Sequence, residues 1–219
     1  MHKVKILKTE FVTHNVRHFV VERPADYNFI SGQATDVSIN KPGLENELRP
    51  FTFTSLNSSK NLEFIIKIYT GHNGVTEKLG KIETGDELIV HDVFGAINYK
   101  QPGLFIAGGA GITPFISILR QLKADNKLDG NTLLFANHTE KDIILKDELS
   151  DMLGSNLVNV ISHPELPETR AQTIDRDLIK KYLHGQSNYY ICGPDPFVEA
   201  MVEYLKELGI KQSQIIIEQ

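Results

Sequence analysis

The chain has 219 residues, 41% hydrophobic and 23% charged, a composition typical of a soluble globular protein with one large domain or two small ones. The net charge of -5 gives no electrostatic reason to expect nucleic acid, and no apolar run reaches the length of a membrane-spanning helix. The single cysteine, Cys192, excludes a disulfide framework and an iron–sulfur cluster held by four cysteines of this chain. The charged N-terminus is unlike a signal peptide, so we expect a cytoplasmic protein without nucleic-acid or membrane partners.

The first half of the chain, residues 1–99, has the pattern of β-strands. Alternation in residues 61–69 places Leu62, Phe64 and Ile66 on one face, together with Ile68. Similar short runs lie between turn-forming residues at 2–7, 17–22 and 86–91. Because these strands follow one another without a helical pattern, we predict a closed or nearly closed antiparallel β-barrel.

The second half, residues 100–219, alternates apolar runs with helical patterns, as in a parallel α/β sheet. Strands are predicted at 104–109, 132–137, 157–162, 189–192 and 214–218. Helices are predicted within 113–122, 141–153, 174–185 and 195–209. Gly154, Gly185 and Gly209 are expected to end helices, and Asp195 to be the N-cap of the last one. The predicted fold is therefore an N-terminal barrel joined to a C-terminal α/β domain.

Two strand-to-helix junctions of the second half are rich in small residues. The first junction is GGAGITPF, residues 108–115, in which a helix is predicted to start with Thr113 as its N-cap. Its glycines let backbone N–H groups approach a phosphate, and the helix N-terminus supplies partial positive charge. Pro114 stands where the dinucleotide fingerprint has its third glycine, so a turn without a ligand is an equal alternative. The second junction, CGPDPF at residues 192–197, likewise joins a strand to a helix through small residues. Both junctions follow the carboxyl ends of parallel strands, where α/β sheets bind ligands. A lone cysteine such as Cys192 is more often a small buried apolar residue.

Two motifs of the first half are ambiguous when taken alone. RPFTFTS, residues 49–55, has the composition of an edge strand that starts with proline. GHNGVTEKL, residues 71–79, is either a hairpin loop or a phosphate-binding turn followed by a helix with Thr76 as N-cap. The eight histidines show no metal-ligand spacing, so we expect no metal site.

Taken together and in this order, RPFTFTS, GHNGVT, GGAGITP and CGPDPF resemble the ferredoxin–NADP reductase superfamily, nearest its NADH–cytochrome b5 reductase branch. The segment FANHTEKDIIL, residues 135–145, is also similar to that branch. The resemblance covers the whole chain and implies an FAD-binding barrel over 1–99 and an NAD(P)-binding α/β domain over 100–219. It also implies hydride transfer from NADH or NADPH to FAD and electron transfer to an external carrier (a ferredoxin, flavodoxin or cytochrome).

The resemblance also implies roles for individual residues. Arg49 would bind the FAD pyrophosphate, which suits its fixed charge and forked guanidinium, Phe51 would stack on the isoalloxazine ring, and Thr52 would hydrogen-bond near flavin N5. The other implied FAD contacts are Pro50, Ile65, Lys67, Tyr69, Gly74, Val75 and Thr76. The implied coenzyme contacts are Gly109, Ala110, Gly111, Ile112, Thr113, Cys192, Gly193, Pro194, Asp195 and Phe197. The candidate catalytic residues are Thr52, Thr113, Cys192 and Glu218, although Glu218 also suits a solvated terminal carboxylate.

The sequence departs from the family pattern at three places. Phe51 replaces the usual tyrosine, and the chain has no aromatic residue at its end to cover the flavin. Ser162-His163 stands where NADP-specific relatives have Ser-Arg, with Arg170 nearby, so NADH is slightly favoured.

Other functions remain as alternatives. The chain could be a non-catalytic flavin subunit that relays electrons within a larger complex, or a nucleotide sensor without flavin. For an acidic carrier, Arg17, His18, Arg23 and Lys60 are candidate docking residues, with a solvated surface as the simpler interpretation.

Overall fold

The computed structural model of the chain describes residues 1–95, 97–183 and 187–217. Two β-sheets follow one another along the sequence, an antiparallel sheet of six strands and a parallel sheet of five strands covered by helices. The predicted fold, an N-terminal antiparallel barrel followed by a parallel α/β domain, is therefore confirmed. Within the described residues, no helix combines the length and the apolar character needed to cross a membrane.

The antiparallel sheet pairs its strands in the order β4-β3-β6-β1-β2-β5. These strands are β1 (His2–Thr13), β2 (Val16–Val21), β3 (Ala34–Ile39), β4 (Arg49–Thr52), β5 (Leu62–Lys67) and β6 (Glu87–Phe94). A bridge between Phe53 and Phe64 brings the two edges together, so the sheet is a nearly closed barrel. Leu62, Phe64, Ile66 and Ile68 are buried in its core, as their alternation predicts, and the short helix α1 (Val75–Leu79) packs against the same core.

The parallel sheet has the strand order β11-β10-β7-β8-β9. Its elements are β7 (Gly103–Gly108), α2 (Thr113–Ala124), β8 (Thr132–Asn137), α3 (Lys146–Leu153), β9 (Leu157–Ile161), α4 (Arg176–Lys181), β10 (Asn188–Cys192), α5 (Asp195–Glu207) and β11 (Ile215–Ile217). Apolar residues of α2 and α3 cover one face of the sheet, and those of α4 and α5 cover the other. Because both faces are buried, its strands read as continuous apolar runs in the sequence.

The core of the α/β domain continues into the barrel. Val16 and Ile65, on neighbouring barrel strands, belong to the same buried cluster as Phe115 of α2. Across this interface, the buried N–H of Gly32 donates to Ser117 Oγ at 3.0 Å. Close packing therefore sets the position of one domain relative to the other.

Two of the glycines predicted to end helices lie at helix ends in the structure. Gly154 and Gly209 have positive φ angles of 53° and 83°, which glycine adopts readily where a helix ends. The helix predicted over 141–153 is shortened to α3, because Leu145 before it has a φ angle of 49° that interrupts the helical path. Gly185, the expected end of the third predicted helix, lies outside the described residues.

Candidate functional site

The carboxyl ends of β7 and β10 carry the two small-residue junctions side by side. The strand order reverses between these strands, the position at which open α/β sheets bind ligands. A Cβ added to Gly111 would lie 2.3 Å from the carbonyl oxygen of Cys192, so the two backbones are in direct contact. The structure thus brings together the two segments that the sequence assigns to the nicotinamide nucleotide.

The glycine turn enters α2 without a side-chain cap. Gly109–Ile112 form a 3-10 turn, and Ile112 already has a right-handed helical conformation. The prediction of Thr113 as N-cap is therefore wrong, because the chain is helical before it reaches this residue. The Thr113 hydroxyl instead donates to the carbonyl of Ala110 at 3.1 Å. Gly109 has a φ angle of 52°, and a Cβ there would have no described atom within 4 Å, so this part of the turn faces open space.

The start of α5 differs from prediction in the same way. Pro194 has an extended conformation and is the N-cap, so Asp195 is the first helical residue and not the cap. The ring of Phe197 packs on two glycines, since an added Cβ would lie 3.0 Å from it at Gly108 and 2.7 Å from it at Gly193. Only glycine at these positions allows the ring to approach both junctions.

A cleft of about 320 Å³ separates these junctions from the barrel. The predicted site residues that line it are Lys67, Tyr69, Gly109, Ala110, Pro194 and Phe197. The Tyr69 side chain is 53% exposed, and Lys67 Nζ lies 5.8 Å from the centroid of its ring. Because the walls come from both domains, a ligand in the cleft contacts the barrel and the α/β domain together.

Three further polar residues line this cleft, and the sequence singled out only one of them, Ser162, as part of the Ser162-His163 pair. Asn137 and His138 lie at the end of β8, and Ser162 follows β9. The Ser162 hydroxyl lies 3.3 Å from Nδ1 of His138 and 3.0 Å from Nδ1 of His163. For Asn137 and His138, the sequence signal was the segment FANH, in which an apolar strand is followed by two polar residues.

The buried amide of Asn137 shows whether this wall of the cleft is suited to a polar ligand. The residue is 6% exposed, and neither its amide nitrogen nor its amide oxygen has a hydrogen-bond partner among the described residues. A buried polar group without a partner costs about 1–3 kcal/mol. A ligand with sugar, phosphate or amide groups would remove that cost, so this wall fits a nicotinamide nucleotide.

The carboxylate of Asp142, in the 3-10 turn Glu140–Asp142 that follows β8, also lines the cleft. Burial acts to raise the pKa of Asp142, but hydrogen bonds from the N–H and hydroxyl of Thr139 and electrostatic interactions with His14 and Lys67 leave that pKa lowered. The two Thr139 bonds measure 2.9 and 2.8 Å, and His14 Nε2 lies 3.8 Å from the carboxylate. Asp142 is therefore a fixed negative charge on this wall at neutral pH.

The RPFTFTS segment forms β4 and the residues after it, at one edge of the barrel sheet. Arg49 is exposed, its Nη1 donates to the carbonyl of Leu48 at 2.6 Å, and it makes no ion pair among the described residues. Beyond the bridge between Phe53 and Phe64, the described parts of β4 and β5 are not paired, which leaves backbone groups beside Thr52 for a ligand. An unpaired arginine beside an open sheet edge fits the pyrophosphate and ring system of FAD.

The second predicted FAD loop is held against the end of β5. Helix α1 begins at Val75 with Gly74 as its N-cap, so the prediction of Thr76 as N-cap is wrong. The helix starts two residues earlier than predicted, and the Thr76 hydroxyl accepts a hydrogen bond from the Tyr69 N–H at 3.3 Å. The structure therefore brings together the segments around Tyr69 and Gly74 that the sequence assigns to FAD.

Other predicted residues are placed differently. Ile65 is 4% exposed and packs into the core between the domains, and Glu218 lies outside the described residues. Arg17 is 9% exposed and donates to the carbonyl of Gly80 at 2.8 Å, while Arg23 donates to backbone carbonyls of the barrel. Arg17 is therefore not part of a solvated surface, and the guanidinium groups of both candidate arginines stabilise loops of the barrel.

Known protein families match both halves of the chain. The oxidoreductase FAD-binding domain family matches residues 3–99, and the oxidoreductase NAD-binding domain family matches residues 105–203. The chain belongs to the ferredoxin–NADP reductase superfamily. It is an FAD- and NAD(P)-binding oxidoreductase, and the exposed guanidinium of Arg49 and the unpaired amide of Asn137 fit these two ligands.

Individual members of the superfamily show how far the similarity of this reductase extends. NADH–cytochrome b5 reductase 1 of Arabidopsis thaliana is 28% identical in an alignment that covers 94% of this chain and 79% of the relative. The reductase component of propane 2-monooxygenase of Rhodococcus jostii is 29% identical over 88% of this chain, which spans only 55% of that relative. A ferredoxin NADP+ reductase from Neisseria gonorrhoeae, solved with bound FAD and NADP, has a TM-score of 0.85 at 20% identity, covering 99% of this chain and 97% of that one. This last likeness is one of fold.

Proposed function

We propose that this reductase oxidises NADH or NADPH through bound FAD and passes the electrons singly to a separate small carrier, such as a ferredoxin, flavodoxin or cytochrome. The observation that carries the proposal is the cleft lined jointly by Lys67 and Tyr69 of the barrel and by Gly109 of the glycine turn. When bound, FAD supplies the chemistry that links a two-electron donor to a one-electron acceptor. The contribution of the protein is to bind both ring systems and to align them.

On the flavin side, Arg49 and Thr52 have separate tasks. Arg49, exposed and without an acidic partner among the described residues, binds the pyrophosphate by charge-assisted hydrogen bonds. The half-buried hydroxyl of Thr52, beside the open edge of β4, hydrogen-bonds near flavin N5 and orients the reacting face. Binding strength therefore depends mainly on Arg49, and the rate of flavin reduction mainly on Thr52.

On the nicotinamide side, Thr113 and Cys192 hold the opposite wall. The hydroxyl of Thr113 is bonded to the carbonyl of Ala110, which fixes the shape of the glycine turn. The half-buried Cys192 packs against Gly111 at the crossing of the two junctions. These residues position the nicotinamide ring and keep water from its reacting face.

NADH is the slightly favoured coenzyme. The extra 2′-phosphate of NADPH calls for a fixed cation at the carboxyl end of β9, where this chain has Ser162 and His163, with His138 beside them. A neutral imidazole is a weaker phosphate ligand than a guanidinium. Arg170 is exposed a few residues further on and gives NADPH a second partner, so the preference is small.

Steady-state oxidation of NADH and NADPH, with ferricyanide as the one-electron acceptor, tests the proposal. The FAD-loaded protein should turn over with both coenzymes and show the higher kcat/KM with NADH. A flavin-loaded protein that oxidises neither coenzyme would overturn the proposal in favour of an electron-relay subunit. A protein that binds coenzyme but no FAD would overturn it in favour of a nucleotide sensor.

A further inference from the structure

One guanidinium group, that of Arg120, connects the two domains. Arg120 lies on α2, and its side chain is 22% exposed. Its Nε and Nη2 donate to the two carboxylate oxygens of Glu148 on α3, at 2.6 and 2.9 Å. Its Nη1 donates to the carbonyl of Thr54 at 2.8 Å and to Glu63 Oε2 at 3.1 Å. Glu148 belongs to the α/β domain, whereas Thr54 and Glu63 belong to the barrel, so Arg120 is a link across the interface.

Glu63 and Arg120, which meet across the interface, are each stabilised in the ionised form. A hydrogen bond with His18, at 3.2 Å, is the main cause that lowers the pKa of Glu63, and with Arg120 it outweighs the opposing effect of burial. Burial acts to lower the pKa of Arg120, but Glu148 and Glu63 outweigh burial and raise it. Glu63 and Arg120, the two charges that meet across the interface, are therefore both ionised around neutral pH.

The linked residues lie on the stiff elements that carry the two predicted ligand sites. Arg120 follows Thr113 by seven residues, about two turns of α2, so both side chains lie on the same helix face. Glu63 shares a face of β5 with Lys67, which lines the cleft. Thr54 belongs to the RPFTFTS segment. The contacts of Arg120 thus connect the helix that follows the glycine turn to β5 and to the segment just after β4.

We propose that Arg120 is a positioning residue, which sets the spacing between the flavin-binding edge of the barrel and the nicotinamide-binding turn. The inference rests on the proposed function, because spacing matters only if the two ring systems react. Reacting atoms must come within about 3–3.5 Å of each other, and a misplacement of about 1 Å can cost roughly 100-fold in rate. The apolar interface around Val16 and Ile65 is non-directional, whereas the forked pair with Glu148 and the bond to Glu63 fix both distance and angle.

Two conservative variants test this role. Arg120→Lys keeps the positive charge but loses the fork, and Glu63→Gln keeps the side-chain shape but loses the charge that Arg120 contacts across the interface. Each FAD-loaded variant is mixed anaerobically with NADH, and the bleaching of the flavin bands is followed by stopped-flow absorbance. Bleaching should slow by roughly 10- to 100-fold. The dissociation constants of FAD and NAD+ should change by less than about twofold, because the binding groups themselves are intact.

A spectroscopic signature separates positioning from general damage. Stacked reduced flavin and NAD+ absorb at long wavelength, and this band should weaken in Arg120→Lys and Glu63→Gln. Arg23→Lys is the matched control, because Arg23 also donates several hydrogen bonds, including those to Tyr27 and Asn57, but all within the barrel. It should lower the melting temperature and leave bleaching and the band unchanged.

The outcomes that overturn the inference differ from those that overturn the proposed function. Wild-type rates of bleaching in both Arg120→Lys and Glu63→Gln would overturn the positioning role. A decrease in rate that is fully explained by a smaller fraction of FAD-loaded protein would overturn it as well. Slowing of the same size in Arg23→Lys would also overturn it. A wild-type protein that neither NADH nor NADPH bleaches would instead overturn the proposed function.

Discussion

Replacement of Gly111 by alanine tests whether the contact between the two junctions positions the coenzyme. The added Cβ would lie 2.3 Å from the carbonyl oxygen of Cys192 and 2.6 Å from the N of Gly193. Ordinary contacts of a Cβ begin at 3.4 Å, so one junction must move by about 1 Å. Both contacts are with backbone atoms, which cannot rotate away as a flexible side chain does. The perturbation is therefore a displacement of the proposed nicotinamide wall and not a loss of any functional group.

The size of the effect follows from that displacement. A shift of about 1 Å in aligned reacting groups costs roughly 100-fold in rate, and overpacking costs about 1–3 kcal/mol of stability. Gly111→Ala should therefore bleach its flavin roughly 100-fold more slowly with NADH in anaerobic stopped-flow absorbance, and melt at a lower temperature. Gly209→Ala, at a φ angle of 83° beyond the far end of α5, is the control and should lose stability but keep the rate. A folded Gly111→Ala protein with the wild-type rate would refute the reasoning.

Three further predictions concern single side chains. Arg49→Ala should weaken FAD binding by roughly 10- to 100-fold in fluorescence titrations, since a hydrogen bond to a charged group is worth about 1.5–3 kcal/mol; an unchanged affinity would rule out its contact with the pyrophosphate. Thr52→Ala should slow flavin reduction more than it weakens FAD binding, and reduction at the normal rate would contradict its role. The pKa of Glu63 is lowered in the folded state by its hydrogen bond with His18 and by Arg120. The ionised Glu63 therefore stabilises the folded protein above the unfolded pKa of about 4.3, and this contribution is lost as pH falls through the folded pKa. Glu63→Gln should thus flatten the loss of unfolding free energy in acid, measured by urea denaturation, and parallel curves for the two proteins would contradict this.

The strands and the order of the two domains could be predicted from local pattern. Leu62, Phe64 and Ile66 alternate because one face of β5 is buried, and that regularity is visible without knowledge of the fold. The parallel strands were recognisable as continuous apolar runs, since helices cover both faces of their sheet. Four ordered motifs then carried the resemblance to a superfamily that the domain matches confirm.

The exact helix starts and the cleft wall around Asn137 could not be predicted from local pattern, because they depend on tertiary contacts. Thr113 and Thr76 are residue types that favour N-caps, but the chain turns helical before each of them. Asn137 escaped prediction because a buried amide without a partner is recognisable only when its neighbours are known. Likewise, Arg120 looks like an ordinary surface residue in an amphipathic helix until Glu63 is brought to it from the other domain.

A visible absorption spectrum of the purified protein, recorded anaerobically before and after NADH and then NADPH, tests most directly whether the cleft between the domains is a flavin reductase site. The predicted result is a flavin spectrum that bleaches with coenzyme, at a lower concentration of NADH than of NADPH. Flavin bands that neither coenzyme bleaches would contradict the proposed hydride transfer. A colourless protein that takes up no added FAD would contradict the assignment of Arg49 and Thr52 to the flavin.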